Sequence, residues 1–141
     1  MAYLNTDLDL VCDGDVMPLV AVLEQRGLQA IHVIREPDGA TRVGLESQDV
    51  DSSPDANPSS DGDSLRRTPE RTIRDLLAAV EGLPARVRDI WNGCRAREFN
   101  IGYECGDGPW GFSQSLDTST LARIAAVGGR LRVTLYPAAE R

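Results

Sequence analysis

Apolar and polar residues alternate along several short segments of the chain, and this alternation predicts β-strands. In residues 4–12, Leu8 and Leu10 alternate with Asp7 and Asp9, which is typical of a strand with one buried face. The clearest alternation runs from Glu98 to residue 105, with apolar side chains at every second position. Further strands are predicted at residues 28–35, 40–47, 110–116 and 130–136. In 28–35 the apolar residues fall on both parities, so its own pattern leaves its buried face open.

Apolar residues at helical spacing predict helices between these strands. The first helix follows Asp15, which is suited to an N-cap, and ends at Gly27. A second begins at Thr68-Pro69, and the sequence at 82–84 makes it either one kinked helix or two. The last follows Asp117 and ends at the glycines 128–129.

The two ends of the chain repeat one pattern at an offset of 102 positions: strand, cap, helix, glycine, strand. Three aligned pairs are identical, namely Asp15/Asp117, Leu19/Leu121 and Gly27/Gly129. Gene duplication and the recurrence of one supersecondary unit explain this equally well. The order predicts an α+β fold: one mixed or antiparallel sheet, helices packed on one face, and two strand-helix-strand units, with ferredoxin-like halves as one arrangement.

The repeat also predicts which side chains of the second strand face the core. Ile31 and Val33 align with Val133 and Leu135, which alternate with polar residues, so Ile31 and Val33 are expected to point to the core. His32 is then expected to point away from the helices. The turn at 36–39 predicts a hairpin, and the turn at 106–109 predicts a second hairpin into the strand at 110–116.

The length of 141 residues predicts a single domain, 1–141, that can fold without a metal or a disulfide. Residues 48–67 differ in kind, because they consist mainly of Asp, Ser, Pro, Asn and Gly. Such a segment buries too little apolar surface to offset the entropy of ordering it. We therefore expect a mobile acidic loop at about 48–67 within the domain.

Acidic residues are concentrated in the first half of the chain. Residues 1–64 hold 13 acids and 3 arginines, a net charge of −10, whereas residues 65–141 carry +3. This distribution favours a basic protein partner and disfavours nucleic acid. The first 15 residues carry four aspartates and no basic side chain, unlike a secretory signal, and no long apolar run is present. We expect a cytoplasmic protein with no membrane association.

The cysteines and the single histidine suggest little chemistry. Cys12, Cys94 and Cys105 show no paired spacing. A zinc site built from them and His32 is one alternative, and buried thiols are the favoured one. All basic residues are arginine, so no lysine is present for Schiff-base or phosphate-loop chemistry. We predict no metal and no cofactor.

Candidate site residues fall on the polar positions of the strands. Four N-terminal aspartates could hold a divalent cation, but a wet strand face and a helix cap explain them better. His32 could act only as an isolated, unactivated base. Glu98 is expected to pair with outward Arg130 or Arg132 on a neighbouring strand.

The stretch 97–136, REFNIGYECGDGPWGFSQSLDTSTLARIAAVGGRLRVTLY, resembles small bacterial α+β proteins, some of them encoded beside toxin genes as immunity proteins. The shared features are a strand hairpin, a helix ending near glycine and a final strand ending in tyrosine. The long loop after Ser47 departs from this compact pattern. The resemblance implies a binding function and transfers no catalytic residue.

Two functional hypotheses follow, and an enzyme ranks below both because one histidine offers no ordered acid–base pair. The first is an immunity-type inhibitor that occludes a basic toxin or nuclease. Its acidic partner-binding residues are Asp7, Asp9, Asp13, Asp15, Asp49, Asp51, Asp55, Asp61 and Asp63. The second is a small-ligand sensory or regulatory domain, with a ligand face formed by His32, Arg130 and Arg132. The sequence leaves monomer and homodimer open.

Overall fold

A computed structural model describes residues 2–48, 68–106 and 113–137 of the chain. Five strands form one sheet: β1 Ala2–Cys12, β2 Leu28–Arg35, β3 Thr41–Ser47, β4 Ala96–Glu104 and β5 Arg130–Tyr136. Four helices connect them: α1 Met17–Gln25, α2 Pro69–Glu81, α3 Ala85–Asn92 and α4 Thr118–Ala126. Except for Gln48, the predicted acidic loop lies outside the described residues.

The strand order is β2-β3-β1-β4-β5, with β1 in the centre. Every neighbouring pair is antiparallel except β4 and β5, which are parallel. The first four strands and their helices have the order of a ferredoxin-like unit. Helix α4 and β5 extend that unit by one parallel strand, so the fold is a single extended unit and not two similar halves. The predicted α+β fold with one open sheet is confirmed.

One hydrophobic core lies between the sheet and the helices. Leu8 of the central strand is fully buried and belongs to the same cluster as Leu19 of α1, Leu76 of α2, Trp91 of α3 and Ile124 of α4. All four described helices therefore contribute to one side of the sheet, which we call the helix side.

Local signals set most of the helix ends. The carboxylate of Asp15 accepts a hydrogen bond from the backbone N–H of Met17 at 3.1 Å, so it serves the start of α1 from just outside the helix. Gly27 ends the turn after α1 with φ of 98°, a conformation that disfavours side chains. The hydroxyl of Thr68 caps α2, and the chain breaks into two helices before α3.

The predicted strand at 110–116 is wrong within its described part. Residues 113–116 have no regular secondary structure, and residues 110–112 lie outside the described ranges. Because β5 pairs in parallel with β4, it takes the sheet edge that a hairpin partner would have occupied. Gln114 instead accepts a hydrogen bond from the hydroxyl of Tyr103 at 3.0 Å, and Leu116 packs against the core.

Residues of the edge strands that lie on the core side are less buried than those of the inner strands. Ile31 occupies a bulge in β2, where the register with β3 shifts, and it is exposed. Val33 faces the helix side opposite Val43, but it lies at the rim of the sheet and stays half exposed. Val133 and Leu135 likewise share the side of the core and remain exposed, because β5 is an edge strand.

Candidate functional site

The side of the sheet opposite the helices carries most of the predicted site residues. Outward side chains from four strands form this surface, which we call the polar face: Asp7, Asp9, His32, Glu98, Asn100, Arg130, Arg132 and Thr134. In the described parts of the chain, no helix packs on it. The prediction that His32 points away from the helices is consistent with the register of β2 on β3.

One row of residues crosses the whole sheet on this face. His32 lies opposite Gly44, Gly44 opposite Asp9, Asp9 opposite Glu98, and Glu98 opposite Arg130. Strand register alone places these residues in line, since side chains directly opposite each other project from the same face.

Gly44 lets the histidine approach the centre of the sheet. A side-chain carbon added at Gly44 would overlap the imidazole of His32 and lie 2.7 Å from its Nδ1 atom. The ring therefore lies across the space that a larger residue would fill. A glycine inside a strand often marks such a close approach, and this was the sequence signal that could have revealed it.

The two arginines of β5 bind one carboxylate. Arg130 Nη1 lies 3.3 Å from Glu98 Oε1, and Arg132 Nε lies 3.1 Å from Glu98 Oε2. The predicted pairing of Glu98 with these arginines is confirmed, with both taking part. Glu98 is only 8% exposed, so the arginines cover it and leave their own side chains in solvent.

Asp9 lies at the centre of the polar face. The Thr134 hydroxyl donates to the Asn100 amide oxygen at 2.8 Å, and the Asn100 amide nitrogen lies 3.5 Å from the Asp9 carboxylate. Burial raises the pKa of Asp9, and the contact with Asn100 and the electrostatic interaction with His32 oppose that rise in part. Sequence reasoning missed Asn100 and Thr134, because neither residue type suggests a site by itself.

Asp9→Asn is expected to stabilise the fold at neutral pH. A raised pKa means that folding favours the protonated carboxyl, so stability falls as pH rises from the ordinary aspartate pKa of 3.8 through the raised one. Asparagine does not ionise, so the variant does not lose stability in this way. Its free energy of unfolding should exceed that of the wild type at pH 7, and this difference should disappear below pH 3.8. Urea denaturation at both pH values measures it.

Asp89→Asn provides the control, since this exposed residue of α3 undergoes the same charge change on the helix layer. It should give no comparable pH-dependent gain. Loss of stability in Asp9→Asn at pH 7 would contradict the expectation and show that attraction to the cations outweighs burial.

The other two N-terminal aspartates lie away from the polar face. Asp13 pairs with Arg95, whose guanidinium also lies 3.0 Å from Asp38. A backbone hydrogen bond from Ala40 and the contact with Arg95 lower the pKa of Asp38. Asp15 serves the start of α1. The predicted acidic cluster is therefore divided between the sheet face and its end.

The loop aspartates of the predicted partner-binding set, Asp49, Asp51, Asp55, Asp61 and Asp63, lie outside the described residues. Among the residues that are described, no group of three or more His, Cys, Asp or Glu side chains could hold a metal ion. Nor is any described helix long and apolar enough to cross a membrane.

A disulfide joins Cys12 at the end of β1 to Cys94 after α3, which overturns the expectation of free thiols. The two residues are 82 positions apart, and their Cα atoms lie 4.3 Å apart. This close approach allows the bond, but sequence spacing gives no sign of it. Cys105 remains a free cysteine.

The predicted ligand face does not form one pocket. His32 and the two arginines lie on opposite edge strands, with backbones roughly 19 Å apart at the usual strand spacing. A cleft of about 370 Å³ lies elsewhere, beside Arg26, Ser47 and Arg71, and one of about 140 Å³ lies near Val33. Neither is lined by His32, Arg130 or Arg132.

Comparisons with protein families, with curated proteins and with solved structures found no match to this chain. The fold and the site therefore define the protein only as an α+β protein with one open sheet and a charged polar face.

Proposed function

We propose that this chain is a non-enzymatic protein-binding module, an immunity-type inhibitor that occludes the active site of a basic toxin or nuclease. The polar face is its contact surface. The observation that carries the proposal is the position of Asp7 and Asp9, on the central strand and on the side away from the described helices.

The raised pKa of Asp9 supports a role in binding. A partly buried carboxylate that opposes folding is poorly explained by stability alone. Groups with such perturbed ionisation are enriched at functional sites, where stability is given up for activity. A cationic partner would favour the charged form and offset the loss on binding.

Charge and shape fit a steering mechanism followed by steric block. The net charge of −7 attracts a basic partner over distances of about one Debye length. The broad sheet surface then covers the partner's active site. Glu98 contributes less to this attraction, because Arg130 and Arg132 already bind it.

The second candidate is a small-ligand sensory or regulatory domain, favoured by the cleft beside Arg26 and Arg71. Its volume of about 370 Å³ falls at the lower end of the range for small-molecule sites. The guanidinium of Arg26 is already engaged with the backbone oxygens of Ala78 and Ala79, so fewer of its donors remain for a ligand.

Affinity capture with matched baits tests the inhibitor proposal. The wild-type chain should retain a stoichiometric basic protein, and Asp7→Asn/Asp9→Asn should lose it, because two charges leave the contact surface. Glu24→Gln/Asp89→Asn changes the charge equally on exposed helix positions and should retain the partner. Equal retention by all three baits would contradict the proposal, as would the absence of any partner.

A further inference from the structure

We propose that β5 pairs with β5 of a second copy of this chain, joining two five-stranded sheets into one. This inference does not depend on the proposed function. On its inner side β5 is bonded to β4, and among the described residues no strand pairs with its outer side. An edge strand in this position presents unpaired backbone groups to other chains.

The exposed side chains of β5 give this edge an apolar character. Leu131, Val133 and Leu135 project on the helix side and are 39%, 54% and 55% exposed. They form one continuous row, whereas singly exposed apolar residues are common and need no partner.

The two edges of the sheet differ in how well they are protected against pairing with a strand of another chain. The opposite edge, β2, contains the bulge at Ile31, and such irregularities hinder edge-to-edge pairing. The pairing of β5 with β4 runs in unbroken register from Arg130 to Tyr136. Both edge strands expose apolar side chains, Ile31, Val33 and Ile34 on β2 among them, but only β5 keeps a regular register along its length.

Backbone orientation fixes which residues can bond across this edge. The N–H of Cys105 donates to the carbonyl oxygen of Tyr136 at 2.8 Å, so the backbone groups of Tyr136 point toward β4. Successive residues of a strand direct these groups to opposite edges. Those of Leu131, Val133 and Leu135 therefore point away from β4.

Charge and the proline that follows β5 together select one register for a symmetric antiparallel pair. Centred on Val133, the two copies oppose Leu131 to Leu135 and Val133 to itself, which matches the outward donors and acceptors. On the polar face, Arg132 then lies opposite Thr134. Centring on Arg132 would place that arginine opposite its own copy, and centring on Leu131 would place Arg130 opposite Arg132, so like charges disfavour both. Centring on Thr134 or Leu135 would place an outward-bonding residue of β5 opposite Pro137, which has no backbone N–H to donate.

Sedimentation equilibrium of the full chain tests the pairing. At roughly 100 µM, which populates even a weak complex, the wild type should be dimeric. Val133→Lys places two ammonium groups opposite each other and should raise the dimer dissociation constant about 100-fold. Leu121→Lys makes the same change at a similarly exposed position of α4 and should leave the dimer intact.

A cross-linking variant tests the register itself. In a Cys105→Ser background, Val133→Cys should form a covalent dimer on mild oxidation, because each copy faces itself at this position. Val33→Cys, which is 46% exposed on the other edge, should not. A monomeric wild type at this concentration would overturn the proposal, and so would a dimer that persists in Val133→Lys or cross-links equally at Val33.

Discussion

Trp91→Ala is expected to lower the free energy of unfolding by about 3–5 kcal/mol, the usual range for removing a large buried aromatic side chain. Trp91 is among the largest fully enclosed side chains of the core. Its indole N–H donates to the carbonyl oxygen of Val127 at 2.9 Å and so joins α3 to the end of α4. The variant loses core packing and leaves that carbonyl without this donor. Urea denaturation followed by circular dichroism measures the change.

Leu121→Ala is the control for this variant, since it also removes an apolar side chain but at an exposed position of α4. Its effect should stay within about 0.5 kcal/mol. If Trp91→Ala lost no more than Leu121→Ala, the packing of Trp91 in the core and its bond to the end of α4 would be wrong.

Reduction of the Cys12–Cys94 disulfide should lower the free energy of unfolding by about 2–4 kcal/mol. The bond spans 82 positions, so breaking it releases a long loop of the unfolded chain. It also joins the end of the central strand to the residues that follow α3. Denaturation midpoints with and without reductant measure the effect.

Two variants make this test specific to the bond. Cys105→Ser removes the free cysteine and should keep the full response to reductant. Cys12→Ser/Cys94→Ser should be less stable than the wild type without reductant, and reductant should not change its denaturation midpoint. An oxidised wild type with the same midpoint as the reduced one would contradict a stabilising disulfide.

Local patterns in the sequence were enough to predict most elements of the fold. Alternation along 98–105 and the aspartates of β1 identified strands, and Gly27 and Thr68 marked helix ends correctly. Alternation and helix capping depend only on residues a few positions apart in the sequence. The α+β class followed from their order.

Strand partners and edge burial could not be read in the same way. The segment 110–116 alternates like a strand, yet residues 113–116 do not form one. The position beside β4 is occupied by β5, which lies later in the sequence. The bulge at Ile31 depends on its partner strand and leaves no clear local signal. Pairing is a property of two segments, so periodicity in one does not specify it.

The residues of the polar face could be predicted strand by strand, but their arrangement could not, because it depends on how the strands pair. Outward positions on separate strands identified His32, Glu98, Arg130 and Arg132, and the pairing around Glu98 followed. Strand order then separated His32 from the arginines by three strands. The disulfide depends on a contact between distant segments, and its cysteines show no motif.

The most direct test of the polar face as a binding surface is the association rate with the captured basic partner, measured by stopped flow at low and high salt. Asp7→Asn/Asp9→Asn should lower this rate about tenfold at low salt and much less at high salt, because screening removes the attraction. Glu24→Gln/Asp89→Asn, with the same net charge, should lower it less. Equal rates for the two double variants would contradict the claim that the polar face meets the partner.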